Sequence, residues 1–224
     1  MRKRIKLADR LLPDYTRSEE IMNMVTHIVG GALGIAALTL CVLRSVFHDN
    51  PYGLAGSIVY GISMIVLYTM SSVYHGLTPG MAKKVMQVLD HCTIYFLIAG
   101  TYTVISISAL RTVSPALGWG MAVFQWTLTA IAVTLTAIDL EKYNAFSMVC
   151  YVGMGWAILP FMRATTEALT LPGFWLLLSG GISYTIGAVL YGIGSKMRWM
   201  HSVFHIFVVL GSLLQFLSIV LYGL

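Results

Sequence analysis

Charge is what this chain has least of. Of its 224 residues only 14 are Lys or Arg and 9 Asp or Glu, together 10%, against about 25% in an ordinary soluble domain. Cysteine is scarce as well. Cys41, Cys92 and Cys150 all fall inside apolar stretches, and an odd number so placed excludes a disulfide framework. No phosphate loop, dinucleotide fingerprint or nucleic-acid signature occurs, and the net charge of +5 needs no nucleic-acid partner. Period-two alternation over short segments is missing, which argues against a β-barrel. Paired broken segments in two matching halves are missing too, which weakens a secondary-transporter reading.

Apolar residues fill the space that charge leaves, at 58% of the chain. They form seven stretches, roughly Ile21–Phe47, Tyr52–Leu77, Val85–Leu110, Leu117–Ile138, Ala145–Met162, Gly173–Gly194 and Trp199–Leu224. Each approaches or exceeds the ~20 residues needed to cross a ~30 Å hydrocarbon core. The expectation is an all-α bundle of seven transmembrane helices in one domain, 21–224, behind a polar tail, 1–20. The tail is too polar for a signal peptide, because Arg2, Lys3, Arg4 and Lys6 are not followed by an apolar run. Ile5, Leu7, Leu11 and Leu12 give it two readings, a segment lying on the membrane surface or a solvated basic tail.

Loop charges set the orientation. Arg2, Lys3, Arg4, Lys6, Arg10 and Arg17 in the tail, with Lys83, Lys84, Lys142, Lys196 and Arg198 in the second, fourth and sixth loops, fall on one side. Arg44, Arg111 and Arg163 fall on the other. The positive-inside rule therefore expects a cytoplasmic N-terminus and an extracytoplasmic C-terminus. Tyr52, Trp119, Tyr143, Trp175, Trp199 and Tyr222 stand near segment ends, as interfacial anchors do. Small residues at helix-packing spacing, Gly30 with Gly34 and Ser183 with Gly187, predict close helix contacts.

On that topology five of the six histidines, His27, His75, His91, His201 and His205, share the cytoplasmic leaflet, and only His48 lies in an outer loop. Ser71-x-x-x-His75 and His201-x-x-x-His205 have i, i+4 spacing, which puts each pair on one helix face about 6 Å apart along the axis. Three neutral imidazoles with one open position are the ligand set of a catalytic zinc centre. Asp90 has two readings, a group that binds the metal or its water and a group that orients a ligand histidine. Ser71 has two as well, a partner for Asp90 or the metal's water and a hydroxyl bonded to its own helix. Glu20, Asn23 and His27 share a face of the first helix, where they either serve the outer shell of the site or form a capping network. His91 faces away from its neighbour Asp90, towards the headgroup region or another helix.

These residues resemble a known family. Glu20-x-x-Asn23-x-x-x-His27, Ser71-x-x-x-His75, Asp90-His91-x-x-Ile94-Tyr95, Ala99-Gly100-Thr101-Tyr102-Thr103, Met154-Gly155-Trp156 and His201-x-x-x-His205 look like the bacterial hemolysin III proteins. These are the bacterial branch of the progestin and adipoQ receptor family, related to the alkaline ceramidases. The resemblance implies a seven-helix fold with an intracellular N-terminus, in the inner membrane of a bacterial cell. It implies zinc held by His75, His201 and His205, with Asp90 beside the metal's water. Val104 departs from the pattern, since many relatives have proline there, and so leaves a kink in the third helix in doubt. The family name points to cytolysis, but a chain that needs lipid around seven spans is unlike a pore-former that must first be soluble. Two functions of different classes follow. One is a zinc hydrolase of a lipid amide or ester, with Asp90 as proton acceptor and Ser71 steadying water or the oxyanion. The other is a non-enzymatic membrane regulator or receptor-like protein in which zinc ties helices together.

Overall fold

A computed structural model describes residues 5–194 and 197–224. Arg2, Lys3, Arg4 and Lys196, four of the charges used above to orient the chain, lie outside the described residues. The described chain is all-helical, without strands. Its helices are α1 (Arg17–Phe47), α2 (Pro51–Gly76), α3 (Met81–Val104), α4 (Pro115–Ile138), α5 (Asn144–Gly155), α6 (Met162–Gly194) and α7 (Met200–Ser218). Local chemistry sets the starts. Thr16 and Glu19 close a capping box on α1. Asn50 and Ser114 cap α2 and α4 with their side chains, each followed by a proline at the first helical position.

Among the described residues six helical units are long and apolar enough to cross a membrane. The fifth of them, Asn144–Ile193, has 50 residues, about 75 Å if straight and more than twice a ~30 Å core. It is not straight. Thr170 inside α6 has φ 62° and ψ 168°, outside any helical conformation, and Pro172 follows it. Trp156 Nε1 donates to Thr185 Oγ1 at 2.9 Å although the two are 29 positions apart. A continuous helix would hold them about 40 Å apart. The chain therefore doubles back at Thr170.

The bundle is inside out relative to a soluble protein. Ile28, Val29, Ile35, Val123, Trp175 and Val189 are exposed, while Asn23, Ser57, Ser71, Gln125 and His205 are buried. That is the arrangement expected when lipid is the solvent and polar groups must be satisfied internally. Tyr60, Met64, Tyr68, Leu110 and Ile219 fill the centre. Small residues let the helices close up as their spacing predicts. A Cβ on Gly30 or Gly34 would run into Tyr68 or Ile65, and Ser183 donates to the Phe207 carbonyl at 2.8 Å. The third helix has no proline kink at Val104. It passes into a π-helical stretch, Ile105–Leu110, which is buried throughout. The tail, finally, is not simply solvated. Ile5 N–H donates to Asp139 at 3.2 Å, and buried Arg10 donates to the Lys84 carbonyl at 2.8 Å, so residues 5–16 lie across one end of the bundle.

Candidate metal centre

Four helix ends meet beneath that tail. His75 is in the last turn of α2, Asp90 in the third turn of α3, and His201 and His205 open α7. Glu20, Asn23 and His27 line the first turns of α1. The start of α7 is held by the start of α1. Trp199 takes a left-handed conformation, φ 67°, and its N–H donates to Glu19 Oε1 at 2.7 Å. Arg198 pairs with the other Glu19 oxygen at 3.1 Å. One carboxylate thus completes the N-termini of two helices, where negative charge is favoured.

The ring nitrogens of His75, His201 and His205 lie within 4.8 Å of one another. His201 Nε2 and His205 Nε2 are 3.1 Å apart. Two nitrogens on one tetrahedral zinc stand about 3.3 Å apart, given bonds of about 2.0–2.1 Å. Each ring is oriented from its other side. His75 Nδ1 donates to Glu20 Oε2 at 2.6 Å, which leaves Nε2 with its lone pair, buried and without a hydrogen-bond partner among the described residues. His205 Nδ1 donates to the Asn23 carbonyl at 3.2 Å, so its Nε2 is an acceptor too. His201 is held by stacking, its ring 4.9 Å from that of Tyr15 at 19°. A carboxylate or carbonyl on the far nitrogen of a histidine is the usual support of a metal ligand. The donor set, its orphaned nitrogen and its spacing all fit a zinc ion.

The outer network is denser than the spacing alone suggests. Glu20 Oε1 pairs with buried Lys83 at 2.8 Å, so the Glu20 carboxylate bridges a histidine and a lysine. Lys83 also donates to the Leu77 carbonyl at 2.8 Å and ties the α2–α3 turn to the site. Asn23 Oδ1 accepts from Ser202 at 2.6 Å, and its Nδ2 is 3.4 Å from His75 Nδ1, too long to compete with Glu20. Glu20 and Asn23 contact two of the clustered histidines and also anchor α1 to its neighbours through Lys83 and Ser202. The cap is formed by the neighbouring Glu19. His27 stacks on His205, centroids 3.7 Å apart at 13°, and neither of its nitrogens has a hydrogen-bond partner among the described residues. Tyr15, Glu19, Lys83 and Ser202 were not among the residues singled out as site residues by spacing.

Ser71, Asp90, His27, His201 and His205 line one cavity that runs from this end down to Phe174, Leu177 and Gln215, with mostly apolar walls. Ser71 is buried, and Ser72 turns away to bond the Tyr68 carbonyl at 2.7 Å. His91 lies in the cavity wall, its ring edge-on to Tyr191. Cys92 points towards Val133 rather than into the site, and His48 is at the far end of α1. Outside the helices, burial pushes the Tyr15 phenol above its ordinary range, so the ring stacked on His201 is neutral. Burial also lowers the Arg10 guanidinium, opposed by the charges of Glu141, Tyr74 and Asp139.

The chain is similar to curated relatives over most of their length. The chain is 35% identical over 206 residues to "Hemolysin-3" of Bacillus cereus, covering 92% of each. It is 31% identical over 208 residues to "Hemolysin-3 homolog" of Bacillus subtilis (strain 168), 93% of this chain and 96% of the relative. A more distant likeness, 24% over 209 residues, links it to the human "Monocyte to macrophage differentiation factor", covering 90% of this chain and 83% of that protein. The family described as "Haemolysin-III related" matches residues 15–216, which run from Tyr15 through both histidine motifs. The chain therefore belongs to the haemolysin-III related family.

Proposed function

We propose that this protein is a zinc-dependent hydrolase of a lipid amide or ester, working at the cytoplasmic side of the bacterial inner membrane. The observation that carries the reading is a cluster of three histidine nitrogens, two of whose residues, His201 and His205, line one mostly apolar cavity together with Asp90 and Ser71. His75, His201 and His205 hold the metal, with Glu20, Asn23 and Tyr15 fixing their rings. Zinc there supplies a Lewis acid for the acyl carbonyl and a water acidified towards about 7. Asp90 takes the proton from water as its oxygen bonds to the carbonyl carbon. Ser71 donates to the oxygen that gains charge. Asp90 then returns the proton to the departing amine or alcohol as the C–N or C–O bond breaks.

The reading includes seven crossings, because the doubled-back unit around Thr170 supplies two. With the N-terminus in the cytoplasm, Lys83, Lys84, Lys142 and Arg198 lie on its side and Arg44, Arg111 and Arg163 opposite. Reporters fused at Leu224 and inserted after Lys84 should read opposite sides, and finding both on one side ends the seven-crossing reading.

A second reading, a non-enzymatic regulator with structural zinc, draws on one observation: the same contacts join α1, α2 and α7. Asp90→Asn separates the two. In a hydrolase it keeps zinc and melting temperature and lowers turnover of an acyl amide or ester by about 10²–10⁴-fold. In a structural site it changes melting or zinc retention, and zinc-loaded wild type turns over none of these substrates. That last result would sink the hydrolase.

A further inference from the structure

The mostly apolar cavity has at its deep end a polar side chain that the metal centre does not use. Gln215 lines it with Phe174 and Leu177, ten residues beyond His205 on α7. That is about 15 Å along the helix, and both side chains lean towards its N-terminus, so their tips keep the same offset. Gln215 is half-buried. Neither polar atom of its amide has a hydrogen-bond partner among the described residues, and neither is sealed from every surface. The open surface faces inward. Ile206, Leu210 and Leu213 are exposed along the lipid side of α7. Gln215 points about 140–180° away from each of them, and within about 80° of His201, His205 and Val208, which also line the cavity. Gly180 on α6 makes room for it, since a Cβ there would stand 2.6 Å from Gln215 Cγ. A polar group at this depth is costly unless it is paired or in use.

We infer that Gln215 recognises a hydroxyl on the acyl chain, far from the reacting carbonyl. The inference rests on the reading that this cavity takes the acyl chain of a lipid. It stands whether or not that chain is hydrolysed. The Gln215 amide offers an acceptor oxygen and N–H donors, and a hydroxyl both donates and accepts, so the two satisfy each other in both directions. A plain methylene chain leaves the amide unpaired. A keto group only accepts and serves half of it. A carboxylate brings a charge to a level where Phe174 and Leu177 offer none in return. The helix also sets the position on the chain. Extended polypeptide covers about 3.3–3.6 Å in three bonds, so an extended chain gains about 1.2 Å per bond and crosses about 15 Å in about twelve. With the carbonyl beside His205, the hydroxyl belongs near the twelfth carbon.

Native mass spectrometry of the full chain tests this with stearate and with stearates hydroxylated at the sixth or the twelfth carbon. The twelfth-carbon isomer should be retained about fivefold more tightly than stearate, the worth of one hydrogen bond between neutral groups. The sixth-carbon isomer, equally polar but hydroxylated too close to the histidines, should bind no better than stearate. Gln215→Met keeps the length of the side chain without its amide and should remove the preference, with a melting temperature near that of wild type. The two isomers compared on wild type decide the matter without any variant. Equal retention of all three acids by wild type overturns the inference, as does a twelfth-carbon preference that persists in Gln215→Met. Retention of none of them ends the acyl reading of the cavity and the inference with it. The readout is binding, so an absence of turnover bears on the hydrolase alone.

Discussion

The two ends of this bundle are held together in different ways. At the histidine end, side chains meet side chains across long stretches of sequence: Glu20 with His75 and Lys83, Asn23 with Ser202, and Glu19 with Arg198. At the opposite end, side chains mostly meet backbone. Ser108 donates to the Gly223 carbonyl at 2.7 Å, Ser218 to the Gly173 carbonyl at 2.7 Å, and Arg44 to the Leu224 carbonyl at 3.3 Å. Glycines fill out the rest. Gly56 sits against the Val104 backbone and Gly118 against that of Arg111. Backbone carbonyls accept from any well-placed hydroxyl, so the opposite end specifies shape. Paired ionisable groups inside a membrane are expensive and are kept where they act. The difference separates a scaffold from the candidate site, and substitutions at the two ends should fail differently.

The largest difference should be in metal content. His205→Ala takes away one of the three proposed ligands and should reduce zinc from the expected one per chain to a small fraction of that, measured on protein purified without chelator. His48→Ala, at the opposite end, should keep it all. Equal zinc in both variants would erase the distinction between the ends. The next largest is in stability. Lys83→Met leaves the Glu20 carboxylate facing His75 alone in a buried setting, at a cost of about 3 kcal/mol, the low end for a broken buried pair because Glu20 keeps 18% of its side chain exposed. Glu20→Gln with Lys83→Met should cost less than Lys83→Met alone, since neither charge is then left without a partner. Arg44→Met at the other end loses only its bonds to the Leu221 and Leu224 carbonyls and should cost about 1 kcal/mol. Thermal melting of the three variants in one detergent ranks them.

What the sequence reveals of this site follows the same division. His75, His201 and His205 could be read because each motif is local, four residues apart on one helix, and because membrane depth brings the motifs together. The burial of Lys83 could not. In sequence it is one of a pair of loop lysines, and nothing local says that Lys83 turns inward to Glu20 while Lys84 reaches the tail. Tyr15 was hidden for a related reason. It lies in a stretch without helical period, and only the path of residues 5–16 across the bundle places it on His201. Glu20, Asn23 and His27 could be read as one face, but which of Glu19 and Glu20 caps and which orients a histidine depends on how α1 meets α7. In the scaffold, apolar length located the helices, and the break at Thr170 falls in the gap between the stretches Ala145–Met162 and Gly173–Gly194, where Arg163, Thr165, Thr166 and Glu167 interrupt the apolar run.

Gly56→Ala tests the scaffold end where it is tightest. A Cβ there would stand 2.6 Å from Val104 Cα, a backbone atom that cannot rotate away, so α2 and α3 must separate. The cost should be about 2 kcal/mol, as for other overpacked cores, with zinc per folded chain unchanged. Zinc lost faster than fold would mean that the two ends are coupled through α2 and α3, the helices that carry His75 and Asp90.

The smallest effect expected is a gain. Thr170 holds φ 62° and ψ 168°, a region that costs any β-branched residue about 1–3 kcal/mol and costs glycine little. Its side chain is exposed, so shortening it forfeits little packing. Glycine also loosens the unfolded chain, which takes back about 0.5–1 kcal/mol. Thr170→Gly should therefore stabilise by about 1 kcal/mol and raise the melting temperature by a few degrees. Thr170→Ala keeps a Cβ in the same strained conformation and should not. Zinc content should stay at the wild-type level in both, because the turn lies far from the histidines. If Thr170→Gly melts lower than Thr170→Ala, the turn is held in place by the threonine side chain rather than by the packing of the two limbs it joins. The doubled-back unit would then owe its shape to one residue rather than to contacts such as Trp156 with Thr185.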